Sequence, residues 1–295
     1  MSKHFRIWLF PLLGTLLTST SLLAQGVITM TTSQRVGEEI ALRIEANGNV
    51  TIEGAQKTGK KGANDRKSYR LTSQTITIRG DVTELDCYNS ELTSLDVSKN
   101  AALTNLECGE NKLTSLNVSK NTSLTELDCN GNQLTSLNVS NNTALTELYC
   151  FNNQLTSLDV SKNTALTSLV CSNNRLTNLD VSKNIALTEL VCFENELTSL
   201  DVSKNTALNW LRCNDSKLTS LNLSGCTRLV TLYCYSNCIN GKAMTKLVNS
   251  LPNRRGMRPG TLFVVDRSSE KRDRNRCSAA DVTTAKKKNW VVRQY

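Results

Sequence analysis

Apolar and polar positions keep one beat through the middle of the chain. Leucine, an outward residue and cysteine return every 21 residues, at Leu85/Cys87, Leu106/Cys108, Leu127/Cys129, Leu148/Cys150, Leu169/Cys171, Leu190/Cys192, Leu211/Cys213 and Leu232/Cys234. Alternation of this kind is the period of a strand with one buried face. Eight residues after each of the first seven cysteines stands a further leucine, from Leu95 to Leu221, opening a second alternating run such as Leu116-Asn117-Val118. A unit this short cannot enclose a core alone, so the units must stack and share one, which makes a solenoid. One wall is predicted to be a parallel sheet of eight strands, roughly 40 Å long at ~4.8 Å per strand. The opposite wall has no room for a helix and is expected to be extended or 3₁₀-like.

Asn111, Asn132, Asn153, Asn174, Asn195 and Asn237 fall where each coil turns inward. An amide there can donate to and accept from backbone groups that a buried turn would otherwise strand. Ser90 and Ser216 break this series, and their coils are expected to be more weakly tied. A stacked core needs covering at both ends. Residues 27 to 80 alternate repeatedly, as in Ile40, Leu42 and Ile44 or Ile76 and Ile78, and predict a small all-β cap. Residues 241 to 295 read instead as helix (Met244, Leu247, Val248, Leu251), strand (Leu262 to Val265), a second helix after the Ser278/Asp281 capping box, and a last strand at Val291 and Val292.

The repeat resembles the leucine-rich repeat family, whose L-x-x-L-x-L-x-x-N-x-L core is matched by Leu103, Leu106, Cys108, Asn111 and Leu113 and again in the other coils over residues 82 to 240. Cysteine in place of the third leucine, with the 21-residue length, is similar to the cysteine-ladder members of the bacterial internalin family. The resemblance implies bacterial surface proteins concerned with attachment and recognition of host molecules, and it specifies the fold far more than the ligand. The expected fold is an α/β-type leucine-rich repeat solenoid dominated by a parallel β-sheet. Its parts are a signal peptide (1–24), a β-rich N-terminal cap (25–80), eight cysteine-ladder coils (81–240) and a basic α/β C-terminal cap (241–295).

Eleven cysteines invite other chemistry. The eight in the ladder read as buried hydrophobes with free thiols. Side chains of neighbouring parallel strands point the same way and are badly placed for a disulfide torsion, a one-sided row of sulfurs offers no tetrahedron to zinc, and a reactive thiol needs an exposed, electropositive setting. Cys226, Cys238 and Cys277 lie outside the ladder; one disulfide among them is plausible in an oxidising compartment, with Cys238–Cys277 the favoured pair. The Asp/Asn column from Asp96 to Asn222 carries a suggestion of calcium but reads better as turn caps.

Composition narrows the function. The single histidine, His4, lies in the leader, so the remaining chain has no imidazole for a base or a metal ligand. Lys3 and Arg6, the apolar run Ile7 to Leu17 and the small residues ending at Ala24 read as a secretory signal peptide, and no other stretch approaches the ~20 apolar residues of a membrane helix. The chain is expected to be exported and soluble, secreted or at the cell surface, with no membrane span. Its net charge of +9 hides an asymmetry: Lys+Arg against Asp+Glu is 9 to 5 over residues 25–80, 10 to 17 over 81–240 and 14 to 4 over 241–295. The basic end, with Arg254, Arg255, Arg258, Arg267, Lys271, Arg272, Arg274, Arg276 and Lys286 to Lys288, is either merely solvated or attracts an anionic polymer such as acidic glycan or lipopolysaccharide. Nucleic acid is not an expected partner of an exported chain.

Between near-copies of T-S-L-D/N-V-S-K-N, variation concentrates on the outward strand positions. The residue between leucine and cysteine runs Asp86, Glu107, Asp128, Tyr149, Val170, Val191, Arg212, Tyr233, and the residue after cysteine includes Phe151, Phe193 and Tyr235. Trp210 stands in the column before Leu211. An acidic strip thus lies beside an aromatic patch from Tyr149 to Tyr235, the layout of a binding face or else drift at tolerant positions. The expectation is a non-catalytic, secreted or surface-associated recognition or adhesion module binding an extracellular protein or glycan on this face, without cofactor, metal or catalytic residues. The alternative is anionic polysaccharide binding through the basic cap.

Overall fold

The computed structural model of the protein describes residues 26–61, 65–266 and 273–294. The expected signal segment, 1–24, lies outside the described residues, as do Arg267, Lys271 and Arg272 of the basic end. The chain begins with β1 (Val27–Thr32), β2 (Glu39–Ala46), β3 (Thr51–Glu53), β4 (Ala55–Lys61), β5 (Lys67–Leu71) and β6 (Thr75–Arg79). Every second residue is buried in β1, β6 and the first half of β2, as the alternation requires. The coils follow with β7 (Val82–Asp86), β8 (Leu92–Lys99), β9 (Asn105–Glu107), β10 (Glu126–Asp128), β11 (Glu147–Tyr149), β12 (Ser168–Val170), β13 (Glu189–Val191), β14 (Ser199–Asp201), β15 (Trp210–Arg212), β16 (Ser220–Asn222) and β17 (Thr231–Tyr233). The chain closes with α1 (Gly241–Ser250), β18 (Gly260–Val265), α2 (Ala279–Lys287) and β19 (Trp290–Gln294).

The leucines of the eight Leu-x-Cys triplets lie in parallel strands that end just before each cysteine and pair one repeat against the next, Leu85 opposite Leu106, Leu106 opposite Leu127, and so on to Leu211 opposite Leu232. The sheet does not stop where the repeat stops. Among the described residues it has thirteen strands, β18 and β19 continuing it in parallel beyond β17, and β2, β5 and β4 extending it antiparallel beyond β7. The caps therefore share backbone hydrogen bonds with the coils and are not lids laid over them. On the opposite wall β14 pairs with β16 and β8 pairs antiparallel with β1, while the other coils run there as turns.

Each coil adds the same inventory to one continuous core. In a single unit Leu106, Cys108, Leu113, Val118 and Leu124 have no exposed surface. At ~1.5–3 kcal/mol for each fully buried aliphatic side chain, shared burial is what makes so short a unit hold. The ladder cysteines are buried and free, and desolvation pushes their thiols far up, that of Cys171 to about 12. Cys226, standing where the preceding coils have asparagine, is also buried, its thiol donating to the Val202 carbonyl at 3.1 Å. Gly225 just before it approaches Ser203 so closely that a Cβ would lie 1.8 Å from the Ser203 carbonyl oxygen. The favoured Cys238–Cys277 disulfide is not formed, and both thiols are free. Cys277 packs against the core near Cys234, whereas Cys238 lines a surface pocket.

The asparagines at the inward turn work as a ladder. Asn132 is representative: its Nδ2 donates to the carbonyls of Cys108, Cys129 and Asn130, and its Oδ1 accepts from Leu113 N–H. Asn111, Asn153, Asn174, Asn195 and Asn237 repeat the pattern. The expectation of loose coils at both serines holds at one of them. Ser90 is tied on both sides, its N–H donating to Asn111 and its carbonyl accepting from Thr32 of β1, because the N-terminal cap supplies what the missing amide does not. The Ser216 hydroxyl only reaches the Asn195 N–H, at 3.4 Å. At the far end Asn275, outside the repeats, supplies one more rung, accepting from Ile239 N–H and donating to the Cys234 and Val264 carbonyls. A second buried column, Asn100 to Asn205, crosses the turns of the opposite wall, Asn121 donating to the Val97 and Asn100 carbonyls.

Candidate functional site: the outward face of the sheet

Because leucine and cysteine are held inward, the residues between and beside them stand on one outward face, with Trp210 37% exposed and Tyr149, Phe151, Phe193, Arg212, Tyr233 and Tyr235 half-buried. Asp86 belongs to this face by direction but is only 2% exposed. Strand β2 pairs Arg43 opposite it, and Arg66 lies over it, Nε 3.6 Å from its carboxylate and the guanidinium 5.7 Å from the Tyr88 ring centre. Asp86 is thus sealed by the cap and offers nothing to a partner, a correction to its expected place in an exposed strip. Glu107 is half covered in the same way, its carboxylate 2.6 Å from Arg43.

Beyond these pairs the acidic residues crowd one another. Burial, and then the Asp86 charge, hold Glu107 above the usual carboxylate range in spite of Arg43. Burial with the neighbouring Glu147 and Glu107 does the same to Glu126, and burial to Asp128, although Asn130 donates two hydrogen bonds to it. Desolvation opposes the charged form and like charges add to it. The Tyr149 hydroxyl donates to Glu147, which ties this ring to the acidic end.

The expected single aromatic patch is in fact two. Val170 and the buried Ser172 separate Tyr149 and Phe151 from the rings further on, and among the described residues no ring contact crosses that gap. The C-terminal group is tight. Arg212 lies between Phe193 and Tyr233, its guanidinium 4.6 and 5.1 Å from the ring centres, and Tyr233 stacks on Phe263 at 4.1 Å with the planes 3° apart. Trp210 sits 5.8 Å from Tyr233. No carboxylate pairs with Arg212 among the described residues. Phe263 escaped the sequence reading because it lies outside the 21-residue period, yet Thr261-Leu262-Phe263 repeats Thr231-Leu232-Tyr233 and pairs with it residue for residue.

Elsewhere the structure assigns the remaining candidate residues to scaffolding. Asp96, Asn117, Asn138, Asp159, Asp180, Asp201 and Asn222 each accept the N–H of the serine two residues on, at 2.8–3.2 Å, which makes them turn caps. Among the described residues no group of three or more His, Cys, Asp or Glu is placed to hold a metal ion. Part of the basic end is spent on backbone carbonyls. Arg254 is buried and donates to Leu229, Arg255 donates to Lys287 at the end of α2, and Lys288 donates to Val248, Asn249 and Leu251 at the end of α1. Arg258, Arg274, Arg276, Lys286 and Lys287 remain exposed.

The family described as leucine rich repeats (two copies) matches residues 122–163 and 143–184. No curated protein matches the sequence. Among solved structures the chain is similar to the functional domain of InlJ from Listeria monocytogenes, which includes a cysteine ladder (28% identity, 76% of this chain and 56% of that chain, TM-score 0.40). It is similar also to an internalin C2 from Listeria monocytogenes (18%, 72% and 81%, 0.49) and to the leucine-rich repeat domain of APL1B (19%, 68% and 61%, 0.57). It thus spans little more than half the length of the InlJ domain. Among the described residues no helix is long and apolar enough to cross a membrane. With its in-register parallel strands, its inward cysteines and its asparagine rungs, the chain folds as a leucine-rich repeat solenoid with a cysteine ladder and a 21-residue repeat.

Proposed function

We propose that this protein is a non-catalytic recognition module, secreted or displayed at a cell surface, in which residues 25–80 and 241–295 cap the solenoid 81–240 and the outward sheet face binds an extracellular protein or glycan. The observation that carries the reading is the Phe193–Arg212–Tyr233–Phe263 stack with Trp210 beside it: a cation with no carboxylate partner among the described residues and several large rings, on a sheet whose core positions hardly vary. Rings and arginine are the residue types that dominate binding energy at interfaces, because they bring much surface with few torsions to freeze. Binding to an anionic polymer through the C-terminal cap is the weaker reading, since Arg254, Arg255 and Lys288 already serve backbone carbonyls.

The test is affinity capture of extracellular proteins and glycans on the immobilised chain, with identification of what is retained. Capture is then repeated with a variant carrying alanine at Tyr149, Phe151, Phe193, Trp210 and Tyr233 and with another neutralised at Arg258, Arg274 and Arg276, across a salt series. Exposed charges are screened beyond roughly 8 Å at physiological ionic strength, so a cap-driven interaction disappears as salt rises. The expected result is retention in high salt that the aromatic variant loses. Unchanged capture by the aromatic variant moves the site off this face, and loss with salt reproduced by the arginine variant alone moves it to the basic end.

A further inference from the structure

Of the two rungs without an asparagine, the one at Ser216 is not repaired by a cap, and the surface opens there. In the six coils carrying the asparagine, its Oδ1 accepts the N–H of the leucine nineteen residues earlier. At Ser216 no carboxamide is present, and the N–H of Leu197, a residue with no exposed surface, has no acceptor among the described residues. At Ser216 itself a cavity of about 360 Å³ spans the rung from Asn195 to Asn237, with Asp215, Lys217, Ser236 and Arg274 around it. That size falls within the ~300–1,000 Å³ of small-ligand sites. The Ser236 hydroxyl oxygen is buried and also without a hydrogen-bond partner among the described residues. Buried polar groups left unpaired are costly, so a donor and a hydroxyl unmatched on adjacent coils form a place where a ligand gains what the fold does not use.

We propose that this pocket binds the acetamido group of an N-acetylated amino sugar, the ligand's amide standing in for the missing asparagine. Its carbonyl oxygen accepts from Leu197 N–H, as the asparagine oxygen does in the neighbouring coils. Its N–H donates to the Asn214 carbonyl, the group that corresponds to the Asn130 carbonyl used by Asn132. The sugar hydroxyls meet an acceptor in Asp215, donors in Arg274 and either in Ser236, a mixture that suits a polyol better than the plain side chain of a glutamine. The site lies at the edge of the sheet beyond Phe193, Asn214 and Tyr235, and it does not depend on the sheet-face reading.

The experiment measures binding of N-acetylglucosamine, glucose and a glutamine-containing tripeptide to the chain by calorimetry and ligand-observed NMR. Expected is N-acetylglucosamine binding at least about tenfold tighter than glucose, with little response to the tripeptide. Ser216→Asn, which supplies the rung internally, is expected to abolish sugar binding while raising the melting temperature, and Arg274→Gln, which leaves the rung as it is, to weaken binding several-fold. Equal affinity for glucose, a glutamine peptide that binds where the sugar does not, or unchanged sugar binding in Ser216→Asn overturns the proposal. Alanine at Trp210 and Tyr233 should leave sugar binding intact; loss there would put the sugar on the sheet face and not in the pocket.

Discussion

At the N-terminal end of the sheet, β2 lays Arg43 beside Glu107, and Arg66 covers Asp86; at the C-terminal end, β18 adds Phe263 to the stack that holds Arg212. Both caps extend the same hydrogen-bonded sheet, yet one closes its outward face and the other lengthens it. The difference lies in strand direction and in what the added strand carries. An antiparallel cap strand brings Arg43 over its acidic neighbour, the segment just before β5 does the same with Arg66, and their pairing satisfies charges that crowding and burial would otherwise penalise. A parallel cap strand keeps the register of the coils, so its outward residue falls in the same column and becomes a further tile. The end of a solenoid can thus be a seal or a continuation of the binding surface, and here it is one of each.

The largest effect is expected from removing what seals or ends the ladder. Asn275→Ala strands the Ile239 N–H and removes a hydrogen bond from each of the Cys234 and Val264 carbonyls, the former keeping its bond from Asn237, and should cost about 2–4 kcal/mol in chemical denaturation. Arg66→Ala should cost a similar amount, about 3 kcal/mol, because Asp86 is left buried without its partner. Either variant as stable as the parent would mean that the cap concerned is a passive cover. Cys150→Ser, in the regular middle, is expected to cost roughly 1–3 kcal/mol by placing a hydroxyl in an apolar stack. Alkylation of the denatured chain followed by intact-mass measurement should find at least eight modified cysteines.

Single alanine changes on the face should sort by end. At Trp210 or Tyr233 a loss of ~1–3 kcal/mol in partner binding is expected with the fold untouched, and at Tyr149 a smaller one. Equal losses would erase the division of the face. The smallest effect belongs to the crowded carboxyls. Glu107, Glu126 and Asp128 titrate higher in the folded chain than when free, so the native state takes up protons first, and their contribution to stability rises as pH falls from neutral through those raised values. Asp159 and Asp180, held low by Ser161 and Ser182, act oppositely and lose their contribution as pH falls further, through the folded values. Glu126→Gln should therefore stabilise the chain at neutral pH by no more than about 0.5 kcal/mol and flatten the first of these slopes. A steeper slope, read from melting curves across pH, would show that the crowding lies elsewhere.

The period in the sequence was enough to place the eight strands, the inward cysteines and the amide ladder, because each repeat copies the last and a stacked core tolerates little else. The helices of the C-terminal cap were legible from apolar spacing and from the Ser278/Asp281 capping box, which forms with both of its hydrogen bonds. Within the candidate site, the columns of outward residues were legible and their separate fates were not. Nothing local in Asp86 distinguishes it from Asp128, and nothing in Arg43 or Arg66 announces that the N-terminal cap will carry them over the first coil. Phe263 and Asn275 fall outside the 21-residue beat, and neither Ser90 nor Ser216 says by itself whether a neighbour will repair its rung.

Local periodicity determined which side chains face the core and which face outward, since that choice depends on alternation along a single strand. Tertiary structure decided which outward groups a partner can reach, because pairing of Arg66 with Asp86, stacking of Tyr233 on Phe263 and the unrepaired rung at Ser216 all join residues from different elements of the chain. Such long-range pairings depend on where the caps dock. Docking is a property of the whole core, which no single repeat contains.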